Sequence, residues 1–420
     1  MKNIKTKYEI NPKFVKKAIP IIIIIFAVVC VFVVVSCSVS EPENRGKNGT
    51  GAGDLATAPG TTGDNDNASS DVDTDTTDVT QDDILNAKSF TIIIGDISNL
   101  AHGGADEEAI RLNSPTGLMV EDNRIYIADT HSNRILISIN GELEAFAGLV
   151  LGYDVYDRAV GALHNATLLD SLFLRPSGIM WYETGMLILD SGNNVIRHIS
   201  IAGNVTTFVG TGRAGSNDGT RLTARFNNPQ GFCKDDDGNI YIADTGNHTI
   251  RMISPGGAVT TIAGTAGERG FRDGNNALFD SPVGIVWKDG VLNITDTDNH
   301  RVRTLKDGVV STLAGPVDGY LDVEGNYAGG YLDGDAGTAL FNNPTGIAIG
   351  ADSTVYIADT GNSVVRYIKD GAVGTLAGFG GVNDPGNSNL ERMISPRGLF
   401  ISNGELYITD MFKNTVLRIG

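Results

Sequence analysis

Residues Pro229 to Arg251 read PQGFCKDDDGNIYIADTGNHTIR, and variants of this stretch recur along the chain. A fixed internal period outranks any reading of single residues, so the copies are aligned first. P-x-G tripeptides begin at Pro115, Pro176, Pro229, Pro282, Pro344 and Pro396. Each is followed by a short run ending in aspartate: Asp129, Asp190, Asp244, Asp296, Asp359 and Asp410. Six residues beyond the aspartate stands a β-branched aliphatic: Ile135, Ile196, Ile250, Val302, Val365 or Val416. The next residue is Arg197, Arg251, Arg303 or Arg366 in four copies, and Leu136 or Leu417 in the other two. Three residues before each proline lies Leu112, Phe173, Phe226, Phe279, Phe341 or Met393.

Within a copy, β-branched and aromatic runs of period two are separated by Gly, Asp and Asn. That pattern predicts antiparallel strands joined by tight turns. The third copy divides into strand a from Gly231, strand b over 239–243, strand c over 249–254 and strand d over 258–264. Four antiparallel strands in a repeat of about 40–50 residues is the pattern of a propeller blade.

The P-x-G, the Y-I-A-D-T-x-N-x-x-I-R and the closing V-x-T-x-A-G resemble the NHL repeat over Phe90 to Gly420. The resemblance implies an all-β, six-bladed propeller whose ring closes by sharing a blade between the two ends of the chain. The last copy stops after strand c, at Val416 to Ile419, whereas Phe90-Thr91-Ile92-Ile93-Ile94-Gly95 resembles Thr260-Thr261-Ile262-Ala263-Gly264. Residues 90–95 are therefore expected to supply the missing outer strand of blade six, removing an open edge that would invite aggregation.

Upstream, residues 1–17 carry six lysines against Glu9, and Ala18 to Val35 is apolar apart from Pro20. A basic region followed by an apolar one predicts a signal or membrane anchor over residues 1–37. Val34-Val35-Ser36-Cys37 resembles a bacterial lipobox, which would make Cys37 a lipidation site; the other reading is a single uncleaved span. Both place the rest of the chain on the extracytoplasmic side. Residues 38–88 hold 11 acidic and three basic residues among Gly, Ser, Thr and Asn. Such a composition predicts a disordered acidic linker carrying the propeller, residues 89–420.

Of the 32 basic and 50 acidic residues, the first 88 positions hold nine and 12, so the remainder carries a formal −15. A nucleic-acid binder would show the opposite sign. Cys30 and Cys37 lie in or beside the apolar segment, leaving Cys233 alone in the repeats, so no disulfide is expected within the propeller. The expected partners are the membrane, through the anchor, and an extracellular protein, peptide or glycan, with the propeller a monomer.

Strand reversal puts the a–b and c–d turns on one face and the b–c and d–a connections on the other. The first face has tight pairs such as Asn140-Gly141 and Asp307-Gly308. The second carries the long connections, where binding sites are usually built on a rigid scaffold. Residues 149–175 and 316–343 lie three blades apart and face each other across the axis. They bring Tyr153 and Tyr156 from one side and Tyr320, Tyr327 and Tyr331 from the other, rings suited either to gripping a ligand or to covering blade edges.

The recurring aspartates read as framework, placed to accept turn N–H groups, with the arginines near enough to pair with them. More informative are positions that vary inside a constant frame. After the prolines these are Thr116, Ser177, Gln230, Val283, Thr345 and Arg397; two residues after the aspartates they are His131, Gly192, Gly246, Asp298, Gly361 and Phe412. Gln230, Arg397, His131, Asp298 and Phe412 are the candidates for ligand contact.

Some NHL-like propellers are metal-dependent lyases or lactonases, so the resemblance also admits calcium or zinc at the top of the channel. Of the six histidines none forms an obvious zinc set. Asp218-Gly219, Asp273-Gly274 and Asp333-Gly334 recur, yet lack the alternating spacing of a calcium loop. No cofactor and no catalytic residue is identified by these patterns. The leading expectation is a binding module acting through its long-loop face; the alternative is a divalent-metal lyase or lactonase, and a third reading is a scaffold for envelope proteins.

Overall fold

The computed structural model describes residues 84–85, 91–95, 110–154, 158–183, 185–316, 328–378 and 393–420. The anchor with Cys37, the linker up to residue 83, and Tyr156, Tyr320 and Tyr327 lie outside the described residues. Among those described, no helix is long and apolar enough to cross a membrane.

Six antiparallel sheets follow one another in chain order. Blade three shows the plan, with strand a at Gly231–Lys234, b at Ile240–Asp244, c at Thr249–Ile253 and d at Ala258–Ala263. In blade six the first three strands are Pro396–Ser402, Glu405–Asp410 and Thr415–Ile419, and the fourth is Thr91–Ile94 from the other end of the chain. Its register is Thr91↔Arg418, Ile92↔Leu417 and Ile94↔Val416, so Ile93 bulges. The same one-residue bulge falls at Ile262 opposite Ile250 and Arg251, and at Leu313 opposite Val302 and Arg303. A strand from the far end of the repeats thus reproduces the outer strand of the other blades, bulge included.

The a strands pack against one another around the ring, including blade one against blade six. Apolar side chains of each sheet face the next blade. Between blades two and three, Leu187, Ile196 and Val209 meet Phe226, Ile242 and Val259, all buried. Burying each of these side chains contributes about 1.5–3 kcal/mol. Upstream of the repeats, Ile84 is 0% exposed in a cluster with Tyr356, Met393, Leu406 and Ile408. Ile84 stands out as an aliphatic side chain in an acidic stretch, and the seam between blades five and six is what buries it.

Candidate functional site

The recurring aspartate organises each blade. In blade three Asp244 is fully buried and accepts hydrogen bonds from Asn227 N, Asn247 Nδ2 and Arg251 Nη1, each at 2.8 Å. Arg251 also donates to Arg225 O and Asn217 O, and its guanidinium lies 5.2 Å from the centre of the Phe226 ring. The same node recurs around Arg197 and Phe173, Arg303 and Phe279, and Arg366 and Phe341. Loss of hydration pushes the buried carboxyls up, to about 6 for Asp190, Asp296 and Asp359, while the surrounding donors pull the other way. These aspartates hold the blade to the loop that precedes it.

Turn chemistry then joins one blade to the next. A single 3-10 turn follows the aspartate, and the next residue is left-handed, with φ between 53° and 59° at Asn133, Asn194, His248, His300 and Ser363. Asn and His tolerate that conformation and carry an acceptor. Asn194 Oδ1 accepts Asn228 N at 2.7 Å, His248 Nδ1 accepts Ser281 N at 3.0 Å and His300 Nδ1 accepts Asn343 N at 2.9 Å. Both histidines therefore do the work of asparagine. The loop aspartates weighed as calcium ligands are engaged elsewhere: Asp218 Oδ1 lies 2.8 Å from Arg251 Nη2, and Asp273 and Asp333 pair with Arg303 and Arg366. Among the described residues no three His, Cys, Asp or Glu side chains are grouped to hold a metal ion.

The six a strands enclose a cavity of about 480 Å³ along the axis. At the long-loop end lies the ring of variable residues after the prolines. Next come the six glycines of P-x-G, which let the blades close on one another: a Cβ on Gly398 would sit 2.0 Å from Thr116 O, and one on Gly346 would sit 2.1 Å from Arg397 O. Beyond them the wall is apolar, with Met119, Met180, Phe232, Ile285 and Phe400. The channel wall was not singled out from sequence, although its signal, the apolar run after each P-x-G, is present in every copy.

Inside the mouth, most hydroxyls are committed to the ring. Thr116 Oγ1 donates to Ser177 O at 3.3 Å, Ser177 Oγ to Gln230 O at 2.9 Å and Thr345 Oγ1 to Arg397 O at 3.3 Å. Thr295 and Thr409, from strand b, donate to Thr345 O and Thr116 O, both at 2.6 Å. Gln230 and Arg397 depart from this scheme, and being three blades apart they stand opposite one another. The Gln230 amide donates to Asn228 Oδ1 at 2.9 Å. The Arg397 guanidinium makes no hydrogen bond or ion pair with the described residues; burial works against its charge and Asp298 supports it. Cys233 also lines the wall, and burial pushes its thiol well up, which disfavours the thiolate.

The other candidates divide. Asp298 is exposed and accepts a hydrogen bond from Asn343 Nδ2 at 3.0 Å. Phe412, 64% exposed, and Tyr153, 54% exposed, stand free on the long-loop face. His131 is half-buried, its imidazole held below the ordinary range first by burial and then by Arg175 and Arg158. Tyr331 is not a free gripping ring: Arg366 lies 4.9 Å from its centre and its hydroxyl is 2.7 Å from Thr375 Oγ1. It lies against the buried guanidinium, as does Phe341 at 5.0 Å.

Comparison with known proteins agrees with this architecture. The NHL repeat family model matches residues 226–251. NHL repeat-containing protein 2 of Bos taurus is 27% identical over 293 residues, covering 61% of this chain and 39% of that protein. Protein SUPPRESSOR OF QUENCHING 1, chloroplastic, of Arabidopsis thaliana is 28% identical over 285 residues, covering 63% of this chain and 26% of that protein. The chain therefore spans well under half the length of these relatives. Among solved structures, an auxiliary nutrient binding protein from Bacteroides thetaiotaomicron superposes with a TM-score of 0.53 at 14% identity, over 79% of this chain and 76% of that one, a likeness of fold alone. The matched repeat, the relatives and the six blades, four of them built on one arginine–aspartate node, identify the domain as an NHL-repeat β-propeller.

Proposed function

We propose that this propeller is a binding module that recognises a protein, peptide or glycan outside the cytoplasm through its long-loop face. The channel mouth carries the reading. Where Thr116, Ser177 and Thr345 are tied into blade-to-blade hydrogen bonds, Gln230 and Arg397 interrupt the belt, and Tyr153 and Phe412 expose aromatic surface on the same side. A rigid ring with a few polar and aromatic side chains presented on one face is the usual construction of a recognition surface. The basic segment, the apolar stretch and Cys37 support attachment to the membrane, with the acidic linker giving reach.

Glycan and peptide arrays probed with the full chain test the recognition. Ligands retained by the native protein and lost on Tyr153→Ala with Phe412→Ala are expected; the same binding in that variant would move recognition off this face. Turnover of a lactone or peptide amide with stoichiometric calcium or zinc would replace it with the enzymatic reading. For the anchor, Cys37→Ser should abolish incorporation of labelled fatty acid, whereas unchanged labelling removes the lipoprotein assignment.

A further inference from the structure

We infer that the mouth of the central channel is a site for a monocarboxylate bearing an apolar chain or ring. The inference deepens the binding reading and rests on it. Three observations converge. Arg397 lines the cavity without a hydrogen-bonding or ion-pairing partner among the described residues, in a ring whose hydroxyls are otherwise committed to neighbouring blades. A guanidinium presents a planar fork that matches a carboxylate with two parallel hydrogen bonds. Across the axis, Gln230 offers an amide, one of whose N–H groups is already held by Asn228.

Charge sets the number of negative groups the site accepts. The repeats carry a formal −15, and Asp298 contributes negative potential at Arg397. A dianion such as a phosphate monoester would meet one guanidinium partly offset by that carboxylate, and a monoanion is the better match. Below the mouth the glycine ring gives way to apolar side chains, Met180, Phe232, Ile285 and Phe400 among them. A ligand with a polar head at Arg397 and an apolar body along this wall satisfies both halves of the cavity. Two sources share that chemistry: a free organic acid, and the C-terminal carboxylate of a peptide with an apolar last residue.

Isothermal titration of the full chain with octanoate, octanol and octyl phosphate reads the head-group preference. Octanoate should bind, with octanol and octyl phosphate each weaker by at least about tenfold. Arg397→Gln should lose the octanoate signal by a similar factor while melting at the native temperature, since no partner among the described residues is left unpaired. Titration with an apolar tripeptide as free acid and as C-terminal amide separates the sources: binding of the acid alone assigns a peptide terminus, and octanoate without either peptide assigns a small acid. Octanoate that fails to bind, or binds Arg397→Gln as well as the native chain, overturns the site. Array ligands retained by Arg397→Gln in that event leave the long-loop face standing as a recognition surface without a carboxylate pocket, so the two failures are distinct.

Discussion

Blades two to five and blades one and six solve one packing problem in two ways. In the former, a buried arginine sits over a phenylalanine and is tied to the blade's aspartate. In the latter both members change together, to Leu112 with Leu136 in blade one and to Met393 with Leu417 in blade six. Asp129 then recruits Arg134, whose Nε lies 2.8 Å away, and Asp410 accepts N–H groups of Ile394, Ser395 and Lys413. The guanidinium and the aromatic ring are thus a unit, exchanged as a unit. The two blades that lack it are those where the ends of the chain meet, closed by strand 91–94 and covered near blade five by Ile84.

The largest test of that contrast removes the closure. Deleting residues 84–95 strips the outer strand from blade six and uncovers its apolar seam, for an expected loss on the order of 5 kcal/mol or more. Urea unfolding measures it, and a midpoint equal to that of the full chain would mean the closure is dispensable.

Within the arginine blades, Arg303→Leu leaves Asp296 buried without its cation and should cost about 3–5 kcal/mol. Combining it with Phe279→Met gives blade four the Met393 and Leu417 pair of blade six and should recover part of that loss. A double variant no better than the single one would show that the arginine and ring do not act as a unit. At the axis, Gly398→Ala forces a Cβ against Thr116 O, and a loss of roughly 1–3 kcal/mol is expected from the overpacked seam. Scanning calorimetry of this variant reports whether the P-x-G glycines set the blade spacing.

A smaller effect concerns pH. Burial holds Asp190, Asp296 and Asp359 at about 6 in the folded state against an ordinary value of 3.8. A carboxyl raised in this way takes up a proton on folding between those limits. Its contribution is fully present below the unfolded value and is lost as pH rises through the folded one. Relief of the acidic net charge acts in the same direction, so the urea midpoint should rise from about pH 7 to about pH 5. A fall over that interval would show that the guanidinium partners outweigh desolvation at these carboxyls.

Much of this was legible in the residues. The six copies, the four-strand plan and the closing strand follow from local alternation and from the likeness of 90–95 to 260–264. Variation after the proline pointed to Gln230 and Arg397, which with Val283 are the three positions that break the hydroxyl belt, and the two of them that carry a polar group. Tyr331 was open between gripping a ligand and covering a blade edge, because a tyrosine in a long polar loop shows neither until the blade's arginine is placed against it. Ile84 went unread because it and Leu85 are a short apolar pair in an acidic stretch.

By itself the sequence determined the blade, since strand alternation, turn residues and the aspartate node act over a few residues and are written anew in each copy. Which polar groups are left for a ligand was decided by the tertiary structure alone. Ser177 is occupied by a carbonyl 53 residues away and Thr409 by one 293 residues away, and only ring closure brings those acceptors within reach. Arg397 stands apart because no such partner reaches it from the described residues, a fact that no local pattern encodes.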